Sequence, residues 1–126
     1  MENKTVFICD DDSTIVDMLQ MLLEMSGYDT IIETNSLNAL GVIREKKPDV
    51  ILLDIWMPML SGDELIRKIR EDKELKELFI ICISASKDGK EVAFRAGANR
   101  FIAKPFDIND LLEAVESSSH LDEGVK

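Results

Sequence analysis

Val50, Ile51, Leu52 and Leu53 stand in an unbroken apolar run that stops at a carboxylate, Asp54. A strand with one wet face alternates apolar and polar side chains. A continuous branched run instead predicts a strand covered on both faces, as in a parallel sheet between helices. The acid at its end belongs at the mouth of such a sheet, because burying an unpaired carboxylate costs several kcal/mol. Pro58 and Gly62 then break the regular structure before a new helix begins.

The pattern recurs along the chain. Residues 5–9 read as a first strand that runs into Asp10-Asp11-Asp12, residues 78–83 as a buried strand ending on Ser84, and residues 99–103 as a short strand ending at Lys104-Pro105. Residues 28–33 mix Tyr28 and Thr30 with isoleucine, which suits an edge strand. Between the strands, helical spacing appears in five places. Ile15, Met18, Leu19 and Leu22 mark the first helix, with Asp12 or Ser13 as its N-cap and Gly27 as its stop. Ser36 is the expected cap of a second helix that buries Leu37, Leu40 and Ile43 and closes at Lys46-Lys47-Pro48. Leu65, Ile66 and Ile69 mark a third, Val92, Ala93 and Ala96 a weak fourth with Gly89 in its first turn, and Ile108, Leu111, Leu112 and Val115 a fifth capped by Asp107.

Five strands alternating with five helices through short connections imply an α/β doubly wound parallel sheet with helices on both faces. Its 126 residues make one domain, assigned to residues 1–120, followed by a tail, 121–126, with little to bury and an expectation of fraying from Ser117 onward. The 25 acidic and 15 basic residues give a formal charge of -10, which disfavours nucleic acid as a direct ligand and suits protein or cation partners. No apolar run approaches the ~20 residues of a membrane span and no signal peptide opens the chain, so a cytoplasmic protein without membrane contact is expected. Cys9 and Cys82 fall within apolar runs, where buried thiols in a reducing compartment are the simplest reading.

In a sheet of this kind the ligand site lies beyond the carboxyl ends of the strands, where strand order reverses. Asp10, Asp11, Asp54, Ser84 and Lys104 all occupy such ends and are expected to converge there. Carboxylates within ~5 Å repel by about 3 kcal/mol per pair at an effective dielectric near 20, so the cluster needs countercharge. Lys104 supplies one positive charge and a hard dication such as Mg²⁺ two more, with Asp11 and Asp54 as direct ligands and Asp10 acting through water. So equipped, Asp54 can attack phosphorus while Lys104 and the Ser84 hydroxyl stabilise the transferring group. The product, an aspartyl phosphate, changes local charge and draws Ser84 inward, which is the behaviour of a switch.

Cys9-Asp10-Asp11, Leu52-Leu53-Asp54-Ile55-Trp56-Met57-Pro58 with Gly62, Ile83-Ser84-Ala85 and Lys104-Pro105-Phe106 together resemble the receiver domain of two-component response regulators, over residues 4–118. The resemblance implies a flavodoxin-like fold with strand order 2-1-3-4-5 and phosphoryl transfer from a phosphohistidine onto Asp54. It implies Mg²⁺ held by Asp11, Asp54 and the backbone carbonyl of Trp56, with Asp10 completing the acidic set. It also implies that Ser84 and Phe101 are a switch pair on the face of the fourth helix, fifth strand and fifth helix. Ser84 stands where the family often has Thr, and Phe101 where it often has Tyr, so any contact needing that tyrosine hydroxyl is lost. The donor is then a sensor histidine kinase, a histidine phosphotransfer protein or a small acyl phosphate, because His120 lies in the tail. A stand-alone regulator, a phosphorelay intermediate and a domain cut from a larger protein all satisfy these residues. Such a domain catalyses its own phosphorylation and dephosphorylation without turning over a separate substrate.

Two other readings use some of the same residues. Asp10-Asp11-Asp12-Ser13-Thr14 fits the Asp-x-Asp-x-Thr pattern of haloacid-dehalogenase-like phosphatases, with Asp10 as nucleophile and Asp12 as acid/base, but leaves Asp54 without work. A receiver-like binding module that is never phosphorylated has no use for the complete set of Asp10, Asp11, Asp54, Ser84 and Lys104. Singly, each has an ordinary explanation as a helix cap, a loop acid or a turn lysine, and Trp56 one as an exposed partner anchor.

Overall fold

The central strand β3 (Val50–Asp54) is buried at every residue, as its unbroken apolar run requires, and β4 (Phe79–Ser84) beside it is buried throughout as well. In this computed structural model, which describes residues 4–85 and 88–124 with side chains as far as Ser118, they belong to a five-stranded parallel sheet. The other strands are β1 (Thr5–Cys9), β2 (Asp29–Glu33) and β5 (Arg100–Ala103), in the order β2-β1-β3-β4-β5. Five helices alternate with them: α1 (Ser13–Met25), α2 (Ser36–Lys46), α3 (Gly62–Glu71), α4 (Asp88–Ala96) and α5 (Ile108–Gly124). The fold is the doubly wound α/β sheet expected.

Strand alternation divides the core in two. Phe7, Cys9, Ile51, Leu53, Ile80 and Cys82 face α2, α3 and α4, meeting Ala39, Ile43, Leu65, Ile66, Ile69 and Ala93. Val6, Ile8, Val50, Leu52, Ile81 and Ile83 face α1 and α5, meeting Val16, Leu19, Leu23, Leu111, Ala114 and Val115. Continued past the strand ends, this alternation sends Asp10, Asp54 and Lys104 to the α1/α5 side and Ser84 with Phe101 to the α4 side. Register brings the ends level: Cys9 pairs with Leu53, Asp54 with Ile83 and Ser84 with Ala103. Both cysteines are free and buried.

Several helix faces differ from expectation. The buried stripe of α1 is Val16, Leu19 and Leu23, with Met18 exposed. That of α2 is Ala39 and Ile43 with Leu37 turned outward, and Ile108 of α5 is exposed too. In each case the spacing allows two overlapping faces, of which the packed sheet buries one. The cap of α2 is Asn35, whose Oδ1 accepts the Leu37 amide at 3.0 Å, rather than Ser36. Ser36 is instead the buried first residue of the helix. Asp12 caps α1, and Gly27 at φ 94° ends it. Helix α5 continues through Gly124, so the segment from Ser117 belongs to a helix. Ser118 is buried there, bonding the Val115 carbonyl and accepting from Lys4 Nζ at 2.8 Å. The side chain of His120 lies outside the described residues, as do residues 125 and 126.

Candidate functional site

Strands β1 and β3 are neighbours whose outgoing connections leave in opposite directions, to β2 and to β4, so a crevice opens at their carboxyl ends. Asp10, Asp11 and Asp54 stand in it, each with a carboxylate oxygen within 4.8 Å of the others'. Asp10 and Asp54 are buried, Asp11 exposed. Lys104 reaches across from β5, its Nζ 3.2 Å from Asp10 Oδ2 and 3.6 Å from Asp54 Oδ2. The ammonium is largely buried, so the ion pairs sit in a low-dielectric setting where they weigh more than on the surface.

Each side chain is held by its own local structure. The other Asp10 oxygen accepts the Asp12 amide at 2.9 Å, and Asp54 Oδ1 accepts the Trp56 amide at 3.3 Å. Lys104 follows a backbone bond from its own amide to the Ser84 carbonyl at 2.9 Å and precedes a cis peptide to Pro105. Burial, then the Asp10 charge, pushes the Asp54 carboxyl above the usual range, against the pull of Lys104 and the Trp56 amide. Cys9, next to Asp10, is pushed up to about 12 by burial and by Glu33 and the aspartates, which makes its thiol inert. Its Sγ lies 3.7 Å from Met57 Sδ, a packing contact within the α2/α3/α4 layer.

The fully buried Ser84 lies on the α4 side. A Cβ built on Gly89, in the first turn of α4, would stand 2.9 Å from Ser84 Oγ and 3.4 Å from the Phe101 ring. Three elements thus meet at one glycine. Trp56 follows Asp54 by two residues and is half exposed. Asp12 is taken up at the start of α1, its Oδ1 accepting from Thr14 and Ile15, so it serves the helix rather than the crevice.

The donor set suits a hard dication: three carboxylates, all oxygen, close enough to share one ion and too few to enclose it. Asp10, Asp11, Asp54 and Lys104 therefore come together as read from sequence, whereas Ser84, expected among them, ends the neighbouring strand and packs with Phe101 around Gly89 on the α4 side. Reading by residue missed two supports. Gly62 opens α3 directly against β3, and a Cβ there would collide with the Asp54 carbonyl oxygen and lie 2.7 Å from Ile55 Cα. Ser36 reaches the loop after Asp54 from α2. A glycine at a helix start signals the first weakly; nothing local signals the second.

Residues 6–116 match the response regulator receiver domain. The chain belongs to that family. Among curated relatives of this receiver domain, the phosphate regulon transcriptional regulatory protein PhoB of Pseudomonas aeruginosa is 36% identical over 119 residues, 93% of this chain and 52% of that protein. The polar-differentiation response regulator DivK of Brucella anthropi is 34% identical over 116 residues, 90% of this chain and 94% of DivK. The receiver domain thus spans about half of one relative and nearly all of the other. Among solved structures, a CheY-like receiver domain protein from Methanospirillum hungatei superposes with a TM-score of 0.89 at 28% identity, covering 99% of this chain and 100% of that one. No helix among the described residues is long and apolar enough to cross a membrane.

Proposed function

We propose that this receiver domain is a phosphorylation switch that takes a phosphoryl group from a phosphohistidine onto Asp54. The observation that carries the reading is one lysine ammonium within 4 Å of two buried aspartates, with a third acid beside them. A packed core has no use for such a group, and an enzyme of acid–base type gains little from three like charges.

An Asp54 carboxylate oxygen attacks phosphorus in line with the leaving imidazole nitrogen. The N–P bond breaks, the imidazole leaves with the bonding pair and takes a proton, and an acyl phosphate forms on Asp54. Asp11, Asp54 and the Trp56 carbonyl would hold Mg²⁺, with Asp10 supporting it through water; bound there, the ion would offset the negative charge gathered by the carboxylates and the phosphoryl group. Lys104 stands ready to exchange an Asp54 oxygen for a phosphoryl oxygen, and Asp10 keeps it oriented. The Ser84 hydroxyl donates to another phosphoryl oxygen, drawing β4's end inward, and Phe101 follows into the space that Ser84 and Gly89 leave beside it. The altered face of α4, β5 and α5 is what a protein target then reads.

The donor in this reading is a sensor histidine kinase or histidine phosphotransfer protein. The coverage of DivK agrees with a stand-alone regulator and that of PhoB with a receiver joined to an output domain. Buried free thiols fit the reducing cytoplasm. The phosphatase reading gains no support, since Asp12 is engaged at the start of α1. The test is incubation with a small acyl phosphate with and without Mg²⁺, followed by intact mass. A metal-dependent gain of one phosphoryl group that vanishes in Asp54→Asn is expected; a gain that persists in Asp54→Asn, or hydrolysis of generic phosphate esters lost with Asp10→Asn, overturns the reading.

A further inference from the structure

The loop between Asp54 and α3 contains a tight turn at Pro58-Met59-Leu60. The Leu60 amide donates to the Pro58 carbonyl at 2.9 Å, an i to i+2 bond, and Met59 at its centre has φ 72°. This is the γ-turn of positive φ, rare because an L side chain is strained there, and methionine is a poor occupant of it. Such a conformation persists only where neighbouring structure holds it.

The neighbour is Ser36. Its hydroxyl donates to the Pro58 carbonyl at 2.9 Å and accepts from the Leu60 amide at 3.0 Å, so one group bridges both ends of the turn. Ser36 is 2% exposed, which leaves water little access to replace it. Its backbone is the first residue of α2, anchored by the Asn35 cap and by Ala39 and Ile43 in the core. Met57, just before the turn, is buried against Cys9. The segment from Trp56 to Leu60 is therefore pinned at its start by Asp54, through the Trp56 amide, and at its end by Ser36.

We infer that Ser36 is a positioning residue: its buried hydroxyl latches the strained Pro58-Met59-Leu60 turn and so sets where the Trp56 backbone carbonyl points. The inference rests on the phosphoacceptor reading, which gives that carbonyl its work at the metal. Loss of the hydroxyl leaves Pro58 and Leu60 only their own poor mutual bond, lets Met59 relax towards negative φ and moves the carbonyl from its place. Groups that bond a metal ligand directly are worth about 10- to 100-fold in metal affinity; Ser36 bonds Pro58 and Leu60 and acts on Trp56 through the loop, so the lower end of that range is expected.

Trp56 is the only tryptophan, so its fluorescence reports this loop alone. Mg²⁺ is titrated against that signal in the parent chain, in Ser36→Ala and in Ser36→Cys, which preserves the side chain's size but bonds weakly. Both variants are expected to raise the Mg²⁺ Kd about tenfold, with urea unfolding showing that the chain remains folded. Adding Met59→Gly to Ser36→Ala is expected to recover part of the loss, because glycine occupies positive φ without strain. A Kd within twofold of the parent in Ser36→Cys overturns the latch, and so does the absence of recovery by Met59→Gly. A parent chain that takes no phosphoryl group and shows no Mg²⁺ response removes the phosphoacceptor reading and the latch with it. That result is distinct from a parent that responds while its Ser36 variants match it.

Discussion

Asp54 carries the clearest conflict in the molecule, because the burial that makes it a poor place for charge also shelters the carboxylate we propose as phosphoacceptor. Its carboxyl is raised first by burial and then by Asp10, so the folded chain holds that proton more tightly than the unfolded chain. Stability is therefore highest with the group protonated and falls as pH rises from the ordinary carboxylate range through the raised folded value. Above that window the penalty is constant. Without Mg²⁺ at pH 7, Asp54→Asn is expected to stabilise the domain, because it removes the buried charge that the fold disfavours. Urea unfolding from pH 4 to 8 checks it: the two proteins should diverge as pH rises. Trp56 is half exposed and bonds the same carboxylate through its amide, and we propose that its ring shields the acyl phosphate from water. Trp56→Ala should shorten the phosphoryl lifetime several-fold, followed by loss of the phosphorylated mass after donor removal.

Elements here are tied together by contacts at their ends. Helix α3 lies so close to β3 that Gly62 alone fits, its amide donating to the Ile55 carbonyl at 2.8 Å. Gly62→Ala must push α3 outward and should cost about 3 kcal/mol, the upper range for overpacking, measured by chemical denaturation. At the other end of α3, Arg70 binds four groups at once: the carbonyls of Lys76, Leu78 and Gly97, and Asn99 Oδ1, at 2.6 to 2.9 Å. Asn99 Oδ1 also accepts the Ile80 amide, so one guanidinium joins α3, the entry to β4 and the end of α4. Arg70→Met takes the guanidinium donor from the Lys76, Leu78 and Gly97 carbonyls, leaves Asn99 only the Ile80 amide, and should destabilise by about 2–4 kcal/mol. Arg70→Lys should recover little, since an ammonium cannot spread over the same fork.

At the scale of the whole molecule, two apolar layers enclose the sheet, and the site occupies the rim where their strand ends meet. Leu52 is fully buried between β3's neighbours and the α1/α5 layer. Leu52→Ala should cost about 2–5 kcal/mol. Met25, 78% exposed at the end of α1, should tolerate Met25→Ala within about 0.5 kcal/mol. Thermal melts of both variants separate the buried layer from the methionines that only flank it. Because β2, β1, β3, β4 and β5 are all parallel, every carboxyl end lies at one rim, which is why changes confined to that rim are expected to alter phosphorylation more than stability.

The apolar runs and the polar residues that end them were enough to read five strands, an α/β sheet and the gathering of Asp10, Asp11, Asp54 and Lys104. An unbroken apolar run marks a strand covered on both faces within a few residues, and the handedness of parallel crossovers then leaves few topologies. Strand order came from family resemblance, since no local pattern says which buried strand lies beside which. The tertiary structure alone decided that Val16 rather than Met18 faces the sheet and that Leu37 and Ile108 face water, because an amphipathic stripe turns by only 100° per residue and two faces can compete for the same core. It alone decided that Ser36 serves a loop 22 residues away while Asn35 caps the helix. The distinction is physical: propensity and periodicity belong to the segment, whereas a hydrogen bond between distant segments exists only after both have been packed.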